Sequence, residues 1–192
     1  MKKGFTIIEV SILFVIFLIV AILVAPLSMD DTIQAKNTSK WRTVQQEFSN
    51  IFYAMEPISD ESSLSFADNF NATLDNEIKN SIKPYKIKYM NERTPDKKYI
   101  FETFKTTYSN AVIATSFVDN ADSELKGILM YDVNGKNGPN IWGKDVFGLN
   151  IYEDKFEPFG KSLSLIEQKK DCSKNGTGLY CSNYYLIGGN FD

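Results

Sequence analysis

Twenty consecutive residues, Val10–Met29, carry no charge, and only Ser11, Pro26 and Ser28 interrupt their apolar run. A helix of that length rises about 30 Å, which matches the hydrocarbon core of a bilayer. Lys2 and Lys3 precede the run, and Asp30 and Asp31 follow it. By the positive-inside rule, this arrangement predicts one membrane span with a cytoplasmic N-terminus and an exported remainder. A secretory signal peptide has a shorter apolar region that ends in small residues at a cut site. Val24-Ala25-Pro26 is a poor version of that exit. Neither a signal peptide nor a plain anchor explains Glu9, a carboxylate at the edge of the run. Such a group costs about 2–3 kcal/mol in hydrocarbon unless a partner neutralises it.

Composition narrows the chemistry of the remainder. The 192 residues include no histidine, which excludes a Ser-His-Asp or Cys-His triad and His-ligated metal sites. Two cysteines cannot alone form a four-Cys zinc or iron–sulfur site. No G-x-S-x-G elbow, P-loop or paired-carboxylate signature is legible, so the chain reads as a non-enzyme. Net charge is −3 over the whole chain and −5 without Lys2 and Lys3, which argues against nucleic acid as a partner.

The N-terminal octet Lys3-Gly4-Phe5-Thr6-Ile7-Ile8-Glu9-Val10 resembles the processing motif of type IV prepilins and type II secretion pseudopilins. The resemblance covers about thirty residues. It implies cleavage by a prepilin peptidase between Gly4 and Phe5, followed by N-methylation of Phe5. Residues 1–4 would then be a leader, 5–29 the transmembrane half of a long helix, and 30–192 an exported head that includes the helix's amphipathic half. Glu9 becomes the fifth residue of the mature chain. In the family that residue is thought to pair with the terminal amine of a neighbouring subunit, which would supply the missing cation. Pro26 falls where family members often carry a helix-softening proline. The implied role is a structural subunit, major or minor pilin or pseudopilin, of a type IV pilus or related type II secretion-like filament. The implied partners are the prepilin peptidase, the membrane before assembly, and other subunits. The implied location is the bacterial inner membrane, then a periplasmic or cell-surface filament. The alternative is a single-pass membrane-anchored binding protein or adhesin with a pilin-like head, using Tyr180, Tyr184 and Tyr185 as an aromatic patch.

The expected fold is α+β. Ile33, Trp41, Val44, Phe48, Ile51, Phe52 and Met55 recur at three- and four-residue spacing. They extend the first helix from Phe5 to Met55, with Glu56-Pro57 as the stop. Phe66, Phe70, Leu74, Ile78 and Ile82 predict a second helix over 66–82, ended by Pro84. Tyr85–Tyr89 alternates apolar and basic residues as a strand with one wet face would. Further strands are expected at Tyr99–Phe104, Ala111–Val118 and Gly127–Val133, giving an antiparallel meander of three or four strands.

Two features remain. The stretch from Asp132 to Phe147 contains Asn-Gly, Gly-Pro and a third glycine, which predicts a compact series of turns anchored by Trp142 and Phe147. Asp132, Asn134, Asn140 and Asp145 offer oxygen atoms there, and some pseudopilins bind calcium in a head loop, so these four are candidate calcium ligands. The EF-hand pattern does not fit, and Lys136 and Lys144 add positive charge. Cys172 and Cys181 bracket a glycine-bearing loop. In an exported chain they are expected to pair, and many type IV pilins pin a C-terminal loop with such a disulfide.

Overall fold

The computed structural model describes residues 7–54, 68, 78–82, 85–91, 103–107, 110–118 and 123–190. The chain divides into two compact units, residues 1–36 and 37–192. Helix α1 (Ile7–Ala54) contributes to both and has helical backbone through Pro26. The sheet comprises β1 (Ile78–Ile82), β2 (Thr103–Thr107), β3 (Val112–Phe117), β4 (Leu125–Asp132), β5 (Val146–Tyr152) and β6 (Phe156–Pro158). These strands are ordered 1-2-3-4-5-6, each antiparallel to the next. Two short helices follow, α2 (Leu165–Asp171) and α3 (Cys181–Leu186).

Among the described residues no helix is long and apolar enough to cross a membrane. This overturns the expected transmembrane half of the first helix and, with it, the single-pass inner-membrane location. The first turns of α1 carry Glu9 and Ser11 among their apolar side chains.

In the head the sheet buries side chains on both faces. Successive strand residues point to opposite sides, and β4 is buried at every position from Gly127 to Asp132. Leu129 and Tyr131 lie on one face with Ile113, Phe147 and Leu149, which neighbour them across the strand register. Trp41, Val44 and Phe48 of α1 cover that face, as their 3–4 spacing predicts. Ile128 and Met130 lie on the other face with Val112 and Ala114, beneath Trp142, Phe159 and Leu179. Gly148 in β5 makes room for Phe159: a Cβ there would stand 2.3 Å from the ring.

Several expectations are corrected. Ile78 and Ile82 belong to strand β1, whereas Phe66, Phe70 and Leu74 lie outside the described residues. Residues four apart share a face in a helix and in a strand alike, so that spacing did not discriminate. Among the described residues Tyr85–Tyr89 joins no sheet strand, and its one bridge pairs Lys88 with Ile141. Tyr85, Ile87 and Tyr89 pack against the second core. Among the described residues the meander has six strands because β1, β5 and β6 add to the middle ones.

Trp41 fixes α1 to the head. Its ring stacks on Phe147 at 5.0 Å, and its Nε1–H donates to Ser182 O at 2.8 Å. Trp41→Ala is expected to lower stability by about 3–5 kcal/mol, read from denaturant melts of the full chain.

Candidate functional site

The loop joining β4 to β5 is organised by two buried carboxylates. Asp132 ends β4 and Asp145 precedes β5. Asp145 Oδ1 accepts from the Ile141 amide at 2.7 Å, and its Oδ2 accepts from the Asn140 amide at 2.9 Å and from Asn134 Nδ2 at 3.2 Å. Asp132 Oδ1 accepts from the Asn134 amide at 3.1 Å, and its Oδ2 accepts from the Tyr85 hydroxyl at 2.7 Å. Each aspartate therefore supplies acceptors to amides that the turns leave without a ladder partner. Asn140 has φ +54° and Gly135 has φ +68°, left-handed conformations that Asn and Gly adopt at least cost.

Burial raises the pKa of both aspartates. Asp132 is pushed up to about 7, first by burial and then by the charge of Asp145, against the opposing bonds from Tyr85 and the amides of Asn134 and Gly135. The Tyr85 hydroxyl is pushed up as well, by burial and by the Asp132 carboxylate it bonds.

The structure thus brings Asp132, Asn134, Asn140 and Asp145 together. Their polar atoms are largely committed to the loop itself. Both oxygens of each carboxylate accept from local N–H or O–H donors, and Asn134 turns its NH₂ toward Asp145 and Gly138 O. Among the described residues only the side-chain carbonyls Asn134 Oδ1 and Asn140 Oδ1 are buried without a hydrogen-bond partner. Among the described residues no group of three or more His, Cys, Asp or Glu side chains could hold a metal. Calcium takes six to eight oxygens, and a donor set whose carboxylates already serve backbone amides fits it poorly. The arrangement fits a self-capped structural turn. Trp142 and Phe147, the expected anchors, are both buried.

The same loop ties three other segments together, which the sequence did not announce. Asn37 Nδ2 and Lys40 Nζ of α1 donate to Lys144 O and Val133 O, at 3.3 and 3.2 Å. The extended segment Tyr85–Asn91 is stitched to it through Lys88 N to Asn140 O and Trp142 N to Lys88 O. Gly143 at φ +79° lies so close to the C-terminal loop that a Cβ would meet Cys181 Sγ at 2.6 Å and Gly178 O at 2.8 Å.

Cys172 and Cys181 form a disulfide, both sulfur-bearing residues being buried. Asp171, the last residue of α2, caps the backbone of the loop they close: its Oδ1 accepts from the Thr177 amide and hydroxyl, and its Oδ2 from the Tyr180 amide. The segment 85–91 reaches this loop too, through Met90 N to Thr177 O at 3.1 Å and a bond from Asn91 Nδ2 to Asn175 O. Tyr184 and Tyr185 do not form an exposed aromatic patch. Both are buried, and the Tyr185 ring meets Phe147 edge-on at 6.1 Å while its hydroxyl donates to Gly143 O.

Of the N-terminal motif, Gly4 and Phe5 lie outside the described residues. Glu9 sits in the first turn of α1, on exposed helix. The chain matches no protein-family model, no curated protein and no solved structure.

Two outcomes follow from this geometry. Because the folded state holds the Asp132 proton up to about pH 7 and the unfolded chain releases it near 3.8, the native state binds more protons between those values. Stability therefore falls as pH rises from about 4 to 7 and levels off above. Asp145, shifted in the same direction, adds to that slope. Asp132→Asn should flatten it, as measured by urea melts at stepped pH. The double variant Cys172→Ser/Cys181→Ser should lose about 2–4 kcal/mol, read from denaturant melts under non-reducing conditions.

Proposed function

We propose that the chain is a structural subunit of a type IV pilus or related type II secretion-like filament, matured by cleavage after Gly4. The observation that carries this reading is the contrast along α1. From Ile7 to Ile22 its large apolar side chains are 44–86% exposed, whereas Trp41, Val44 and Phe48 are buried in the head core. A continuous exposed apolar stretch of helix marks an interaction surface. A second helix of the same kind is a matching cover, since apolar side chains on both exclude water together. Many copies packed in this way form a bundle of first helices that carries the heads.

The motif around Gly4, Phe5 and Glu9 supports the same reading. Cleavage between Gly4 and Phe5 frees an amine that N-methylation leaves cationic. A carboxylate four residues on can neutralise that amine on a neighbouring copy. Such a pair has most value where apolar helices surround it and water is excluded. The head's part in this reading is structural: the disulfide and the two aspartate-capped loops keep its C-terminal surface in one conformation.

Intact-mass and N-terminal peptide analysis of the chain from its native cells tests the reading. The expected product begins at Phe5 and is heavier by one methyl group. A chain that begins at Met1, or after Ala25, contradicts it. Glu9→Val should leave the head's melting temperature unchanged and reduce incorporation into filaments at least tenfold, measured by quantifying the sheared filament fraction.

A further inference from the structure

Among the described residues of 37–192, only three large apolar side chains are well exposed: Leu165 at 59%, Ile166 at 80% and Ile187 at 54%. Leu165 and Ile166 open helix α2, and Ile187 follows α3. The two short helices are joined by Asn183 Nδ2 donating to Gln168 Oε1 at 2.8 Å. Along α2, residues four apart are surface neighbours, so Leu165 is followed by Lys169 and Ile166 by Lys170, all exposed. Over residues 161–174, four lysines stand against two acids.

A different part of the head has the opposite charge. The turn between β5 and β6 borders a depression of about 720 Å³, lined by Glu124, Tyr152, Glu153, Asp154, Lys155 and Glu157. Lys155 bonds Glu157 at 3.0 Å and lies over the Tyr152 ring, and Lys126 pairs with Glu153 at 3.7 Å. Four acids and two lysines leave this region as negative as the α2 region is positive. One surface is a helical ridge with apolar and basic side chains. The other is a hollow with acidic walls and a tyrosine.

We infer that the α2 ridge of one copy docks into the acidic hollow between β4, β5 and β6 of the next copy. The two surfaces differ, so the contact is head-to-tail, and a repeated head-to-tail contact that does not close a ring builds an open helical array. The opposite charges orient the approach, while the exposed Leu165 and Ile166 lose contact with water on docking. The inference rests on the filament reading and names a second contact for it, between heads rather than between first helices.

Charge exchange in the full chain tests it. Lys169→Glu/Lys170→Glu and, separately, Glu153→Lys/Asp154→Lys alter exposed positions and should keep the wild-type melting temperature. Each double variant alone should raise the concentration needed for assembly at least tenfold, followed by sedimentation and negative-stain microscopy. Mixing the two variants should restore assembly, because each ridge then meets a hollow of opposite charge. Ile166→Ser provides a second probe with charge unchanged and should weaken assembly in the same direction. Filaments unaffected by either charge reversal, or a mixture that stays as defective as its components, overturn the docking contact and leave the filament reading standing. A wild-type chain that forms no filament at any concentration overturns both.

Discussion

The contact on which the head depends is that of Trp41 with Phe147 and Ser182. Trp41 lies on α1, Phe147 at the start of β5 and Ser182 in α3, so one side chain joins three parts of the sequence. Stacking puts the indole flat on the sheet, and its N–H finds the carbonyl it needs when buried. Ser182 in turn accepts from the Gly148 amide through its hydroxyl, which seats α3 against β5. Phe48 extends the same contact, edge-on to Tyr131 at 5.8 Å and to Phe156 at 6.3 Å. The sheet's first face is covered because this aromatic seam holds the helix to it.

The second face is closed differently. No long helix among the described residues covers it. An extended segment, a turn-rich loop and the disulfide-bonded C-terminal loop do so, and such irregular chain must satisfy its backbone without a ladder. Asp132, Asp145 and Asp171 meet that need with side-chain acceptors aimed at turn amides. The cost appears in the raised pKa of Asp132 and Asp145, which sit away from water with no cation beside their carboxylates in the bonded set. Asp and Asn cluster in this loop where its turn amides need acceptors.

How much of this was legible depended on the period of each signal. Trp41, Val44 and Phe48 repeat at helical spacing alone, and the helix and its buried face follow from them. Ala111–Val118 and Gly127–Val133 lie within a residue or two of β3 and β4, since a run buried on both faces is continuously apolar. Ile78 and Ile82 satisfy both periods, so the pattern did not separate strand from helix. Phe147, Leu149 and Ile151 carry a period-two signal for β5 that was there to be read, obscured by the glycine and turn residues just before it. The Asp132–Asp145 cluster was legible as oxygen-rich, but not as self-satisfied, because which donors face a carboxylate depends on tertiary placement. The uncharged run from Val10 to Met29 suggested a membrane span, whereas among the described residues no helix is long and apolar enough to cross a membrane.

The central claim is a division of labour: residues 37–192 hold their own core, and the apolar start of α1 serves assembly. Deleting residues 1–36 tests it most directly. The account predicts that the shortened chain melts cooperatively at the temperature of the full-length head and sediments as a monomer at concentrations where the full chain associates. A shortened chain that fails to fold, or that associates as readily as the full one, would contradict it.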